Sequence, residues 1–178
     1  MRIWIAALAV GGLFFPIGSP RAAELLLQGD LEDGDDPAYA ISAPTGIAAS
    51  PDGRSVYVAG FGEDAIDVFA RNPASGALEH RFAVRNGEGR IDALGGVLTA
   101  VVSGDGRNLY AVGLVDQSIM VFNRDIETGR LFYVWKKKNG LGGVTGLDNP
   151  RSIVESADGR HVYLACEATL LVFTRSDV

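Results

Sequence analysis

The chain has 178 residues, of which 47% are hydrophobic and 21% charged, enough apolar material to bury a core and too much for a disordered polymer. Its net charge of −6 argues against a nucleic-acid backbone as partner, because that surface demands a basic face. Cys166 is the single cysteine, which excludes an intramolecular disulfide and leaves packing to hold the fold.

Taken from the N-terminus, Arg2 followed by the apolar run from Ile3 to Phe15 and a polar, proline-containing stretch ending at Ala23 reads as an export signal over residues 1–23. The run is too short to span a bilayer comfortably, so the expected outcome is cleavage and a periplasmic or secreted protein. A retained membrane tether is the alternative.

Residues 24–178 repeat. Ser50-Pro-Asp-Gly-Arg-Ser-Val-Tyr-Val-Ala returns as Ser103-Gly-Asp-Gly-Arg-Asn-Leu-Tyr-Ala-Val and as Ser156-Ala-Asp-Gly-Arg-His-Val-Tyr-Leu-Ala, each 53 residues after the last. A fixed period of this size marks a propeller or solenoid. Ile66, Val68 and Phe69 recur as Ile119, Val121 and Phe122, then as Leu170, Val172 and Phe173 after a two-residue shortening.

Each repeat holds four strand-like runs, a to d; in the middle one they are Leu98–Ser103, Asn108–Leu114, Ser118–Arg124 and Leu131–Lys137. The pentad Ser-x-Asp-Gly-Arg joins a to b. Asp-Gly suits a tight hairpin, since glycine accepts positive φ and the aspartate bonds nearby backbone N–H groups. Asp52, Asp105 and Asp158 are therefore read as turn residues in preference to metal ligands. Strand b is apolar on both sides (Leu109-Tyr-Ala-Val112), which predicts a sheet sandwiched between neighbours rather than one with a wet face. Cys166 ends the third b strand, where the other repeats carry Gly60 and Gly113, and is read as a small packing residue. The three lysines, Lys136 to Lys138, are read as a solvated strand end.

The fold class expected is all-β: propeller blades in three four-stranded units of about 53 residues, at about 24–76, 77–129 and 130–178, starting from a d strand at Leu25–Gln28 and ending after a c strand at Thr169–Arg175. Three blades cannot close a ring, since propellers use about four to eight. Either two chains associate as a homodimer with a six-bladed ring, or the chain is part of a longer propeller.

The pentads, together with Ile66-Asp-Val-Phe-Ala-Arg, Asn72-Pro-Ala-Ser-Gly-Ala-Leu and Gly142-Gly-Val-Thr-Gly-Leu-Asp-Asn-Pro-Arg151, resemble the blades of bacterial lactonase-like seven-bladed propellers of the 6-phosphogluconolactonase type. The resemblance covers nearly all of residues 24–178 and part of a full member. It implies a propeller fold, and either a lactone-processing enzyme or one of the many secreted repeat proteins of the family with no known reaction.

Propeller sites lie at a channel mouth, on the d–a and b–c loops. The d–a loops here are 30–44, 85–97 and 138–150, and within or beside them Asp92, Asp148 and Arg151 are the candidate binding residues; an arginine beside carboxylates suits a small anionic lactone. The plainer reading has Asp148 capping a turn and Arg151 pairing with it. His80 and His161 have no ligand-type neighbours in sequence, so no metal site and no cofactor is expected. The acidic run Asp30 to Asp36 does not match calcium-loop spacing and reads as a solvated loop. The functional expectation is an exported, non-catalytic module that binds a protein or small ligand; the alternative is a lactone hydrolase.

Overall fold

Three Asp-Gly hairpins set the register of the fold. In the computed structural model, which describes residues 30–32 and 38–176, Gly53, Gly106 and Gly159 take φ of +70°, +74° and +69°, the left-handed region that a side chain resists. The chain divides into two units after Asp30, and every described strand belongs to the second, residues 31–178. In each hairpin the aspartate Oδ1 accepts the hydroxyl of the serine two residues earlier, at 2.5 to 2.6 Å, and the N–H of the arginine two residues later, at 2.9 to 3.1 Å. The turn reading of Asp52, Asp105 and Asp158 holds.

Strands follow from these turns. β1 (Pro44–Ala49), β2 (Ser55–Gly60), β3 (Ala65–Arg71) and β4 (Leu78–Arg85) form one antiparallel sheet in chain order. β5 (Val97–Val102), β6 (Asn108–Gly113), β7 (Ser118–Arg124) and β8 (Leu131–Lys138) form the second, with the same topology. The third sheet has three strands among the described residues: β9 (Ser152–Glu155), β10 (His161–Ala165) and β11 (Leu170–Thr174). The architecture is all-β and made of propeller-type sheets, as expected. A sequence unit and a sheet are cut at different points, however. The d strand that opens the second unit of sequence, β4, pairs with β3 and completes the first sheet. The signal segment at 1–23 and the d strand expected at Leu25–Gln28 lie outside the described residues.

The sheets stack face to face. Tyr57, Ile66 and Val68 of the first sheet meet Leu109, Met120 and Phe122 of the second in one core. The opposite face of the second sheet, with Tyr110, Val112 and Ile119, meets Ile153, Val162 and Leu164 of the third. This double burial explains why β6 carries apolar side chains on both sides, whereas the second face of β2, with Val56 and Val58, is covered by Tyr39 and Ile41 of the preceding segment. The sheets converge along their first strands, β1, β5 and β9, with β4 and β8 on the outside. A Cβ on Gly46 would lie 2.7 Å from the β5 backbone, so that glycine sets how closely β1 approaches.

One core position breaks the repeat. Asp67 stands where Met120 and Leu171 stand in the later sheets, and it is fully buried. It accepts the Ala40 N–H at 2.9 Å and lies 2.7 Å from His80 Nε2, a histidine held edge-on between Tyr39 and Phe69. Burial drives the Asp67 carboxyl above its usual range, and the His80 and Ala40 bonds only partly oppose this.

Candidate functional site

Second and fourth strands end, and first and third strands begin, at one rim of the sheets, so the d–a connectors and b–c loops meet there. They are tied together by their polar side chains. The Gly95 N–H donates to Asp116 Oδ2 at 2.6 Å, and the Gly96 N–H donates to Asp64 Oδ1 at 2.6 Å, which docks the second connector on the b–c loops of two sheets. Lys138 Nζ completes Asp116 at 2.8 Å. Asn139 bridges Gln117 at 3.1 Å and Asp148 at 2.7 Å, while its own carbonyl oxygen takes the Leu147 N–H. Asn149 reaches Glu167 at 2.5 Å.

The three sequence-predicted site residues share this rim but are not brought together into one cluster. Asp92 pairs with Lys136 on β8, on the outer side of the second sheet. Asp148 is held by Asn139, and its carbonyl takes the Glu167 N–H. Arg151 directly precedes β9, an innermost strand; its backbone N–H bonds to Ala165 O at 2.8 Å and its side chain is exposed. Among the described residues no carboxylate lies within ion-pair distance of Arg151, so its expected pairing with Asp148 does not form. Two of the three clustered lysines are used in ion pairs with Asp92 and Asp116. Cys166 packs against the core between the second and third sheets. Burial, reinforced by the Asp148 charge, pushes its thiol above its usual range, the opposite of an activated nucleophile.

The opposite rim carries an arrangement the sequence reading missed. Arg124, at the end of β7, is buried and spends its guanidinium on the first sheet: Nε donates to Tyr57 Oη at 2.7 Å, and Nη2 donates to Asp52 Oδ2 at 2.9 Å and to Ser55 Oγ at 3.1 Å. Nη1 stays on its own hairpin, at Gly106 O. Tyr57 in turn donates to Gly129 O at 2.8 Å, in the turn between β7 and β8. Burial opposes the charged form of Asp52, but the bonds from Ser50, Arg54 and Arg124 outweigh it and hold its carboxyl below the usual range. Arg175 repeats the contact one period on, reaching Asp105 Oδ2 and Asn108 Oδ1. The signal was present: arginine stands at 71, 124 and 175 in phase with aspartate at 52, 105 and 158, a pattern that the hairpin explains only in part.

Beside Arg175 a cavity of about 410 Å³ opens between the second and third sheets, lined by Tyr110, Asn108, Val121, Trp135 and Phe173 among others. The Tyr110 hydroxyl is buried there without a hydrogen bond among the described residues, and burial pushes it up to about 12. One repeat earlier the equivalent space is filled by Gly129 and β8. The cavity thus lies at the repeat position that β8 occupies at the first junction.

No known protein family matches the sequence, and no curated protein matches it. Solved structures do. A candidate 6-phosphogluconolactonase from Bacteroides uniformis superposes with a TM-score of 0.64 at 23% identity, over 77% of this chain and 37% of that one. Its counterpart from Bacteroides fragilis gives 0.63 at 22%, over 76% and 36%. The periplasmic gluconolactonase of Pseudomonas aeruginosa gives 0.60 at 25%, over 75% and 36%. The chain thus spans little more than a third of the length of these proteins. The resemblance to lactonase-like propellers read from the blade motifs holds in three dimensions, at the level of the fold.

Proposed function

We propose that this chain is an exported, non-catalytic propeller-repeat module that binds a small anionic ligand at the loop rim through Arg151. The observation that supports this reading is how the rim carboxylates are used. Asp64, Asp116 and Asp148 are each bonded to a loop N–H or a side-chain amide, so they serve as scaffold. Arg151 alone of the three predicted residues has a guanidinium without a protein partner among the described residues, and it sits at the entrance to an inner strand. An exposed guanidinium offers paired N–H donors to a carboxylate or phosphate.

The second reading, a lactone hydrolase, draws on the names of the structural relatives, three of which are described as lactonases or candidates for that activity. Calorimetric titration of the purified chain with gluconate and 6-phosphogluconate, run beside a hydrolysis assay on the matching lactones, separates the two. Heat of binding that disappears in Arg151→Ala, with lactone decay at the uncatalysed rate, is the expected result. Turnover that Arg151→Ala abolishes overturns it in favour of the hydrolase.

A further inference from the structure

Two Asn-Gly pairs stand one repeat apart, Asn86-Gly87 after β4 and Asn139-Gly140 after β8. An asparagine followed by glycine is open to attack by the main chain, because glycine has no Cβ to shield its nitrogen. In their backbones the two sites are alike. The Asn86 N–H donates to Asp64 O and the Asn139 N–H to Gln117 O, both at 2.9 Å. The glycine N–H donates to Ile91 O at 2.6 Å in the first and to Val144 O at 2.8 Å in the second. Both glycines are exposed, with φ of +85° and +73°. Each asparagine Oδ1 accepts the N–H of a buried leucine in its connector, Leu94 at 3.1 Å and Leu147 at 3.2 Å.

The side-chain nitrogens differ. Asn139 Nδ2 donates to Gln117 Oε1 at 3.1 Å and to Asp148 Oδ1 at 2.7 Å. Asn86 Nδ2 has no partner among the described residues. The repeat explains why. One period earlier, Gln117 is replaced by Asp64, whose Oδ1 takes the Gly96 N–H, and Asp148 is replaced by Gly95, which has no side chain to offer.

We infer that Asn86 is a modification site, deamidating spontaneously to aspartate and isoaspartate, and that the bonds to Gln117 and Asp148 protect Asn139 from the same fate. The Gly87 main-chain nitrogen attacks Asn86 Cγ, the Cγ–Nδ2 bond breaks, and ammonia leaves with the proton that the glycine nitrogen gives up. Water then opens the five-membered imide. Breaking the bond from Gly87 N to Cγ yields aspartate. Breaking the bond from Gly87 N to the main-chain carbonyl carbon yields isoaspartate, whose backbone runs through the side chain. A tethered amide resists the first step, because its hydrogen bonds must break before Cγ can turn towards the attacking nitrogen. Aspartate keeps an acceptor for the Leu94 N–H, whereas isoaspartate lengthens the main chain by a methylene and displaces that acceptor. Leu94, fully buried in the core between the first two sheets, then loses its tie to the end of β4. This inference uses none of the residues of the Arg151 reading.

Mass-spectrometric peptide mapping of the full chain, aged in mildly alkaline buffer with and without denaturant, reads each site separately. In the folded protein Asn86 is expected to convert at least about tenfold faster than Asn139, with isoaspartate among its products. In denaturant the two rates are expected to converge, since the bonds that separate them are gone. Asp148→Gly installs the residue found one repeat earlier and is expected to speed Asn139 severalfold while leaving Asn86 unchanged. In the isoaspartate fraction the Leu94 N–H is expected to exchange faster with solvent deuterium. Equal rates in the folded chain, a faster Asn139, or an Asn86 that stays intact there while the denatured control converts would each overturn the inference. So would a rate ratio that persists in denaturant, or an Asn139 indifferent to Asp148→Gly.

Discussion

The junction between the first two sheets and the junction between the second and third are written in the same repeat, yet they are finished to different degrees. At the first, Arg124 is buried, Tyr57 donates to Gly129, and β8 closes the outer side. At the second, Arg175 makes the same ion pair, but Tyr110 finds no acceptor among the described residues and a cavity stands at the repeat position that β8 fills at the first. The difference shows that the arginine–aspartate clamp and the strand that covers it are separable. The clamp needs two sheets, whereas satisfying the tyrosine needs the turn that follows the third strand.

The sharpest way to separate the junctions is to delete the arginines. Arg124→Ala removes four donated hydrogen bonds from a buried site and is expected to destabilise the fold by about 3 kcal/mol, since bonds to charged groups count for about 1.5–3 kcal/mol each and are not additive. Arg175→Ala, whose partner Asp105 is partly open to solvent, is expected to cost about 1 kcal/mol. Urea unfolding of the two variants measures the gap; equal losses would erase the distinction.

The tyrosines offer a comparison that differs in sign. Tyr57→Phe strips a partner from Gly129 O and from Arg124 Nε and is expected to cost about 1–2 kcal/mol. Tyr110→Phe removes a buried hydroxyl that has no bond among the described residues and is expected to be neutral or slightly stabilising, which thermal melts of both variants resolve.

Acid provides the smallest contrast, through a single carboxylate. Burial works against the Asp105 charge, yet the bonds from Ser103, Arg175 and the Arg107 N–H pull it from the usual 3.8 down to about 2. A depressed value in the folded state means that the stabilisation is present above the usual carboxyl range and is lost as pH falls through the folded value. Melting temperature is therefore expected to drop between about pH 4 and pH 2, and to drop less in Asp105→Asn. An unchanged slope in that variant would assign the acid sensitivity to other carboxylates.

Much of the fold was legible because its signals are local. Asp-Gly at fixed positions can only be a tight turn, and strands apolar on both sides can only be sandwiched, so strands, hairpins and stacking followed from the chain itself. The candidate site was less legible. Asp92, Asp148 and Arg151 lie on connectors leading into inner strands, but their partners are not readable from the chain: Lys136 lies 44 residues from Asp92, and Asn139 takes Asp148 ahead of Arg151. Asp67 and His80 looked unconnected at a separation of 13 residues, until antiparallel pairing of β3 and β4 laid them side by side.

The sequence by itself thus determined the propeller architecture, its period and the chemistry of each turn, because these depend on backbone conformation and on residues a few positions apart. Only the tertiary structure decided which charges meet. A side chain's partner across two sheets depends on how the sheets stack, and one repeated arginine finds a buried site at 124, a half-open one at 175, and no carboxylate among the described residues at 71.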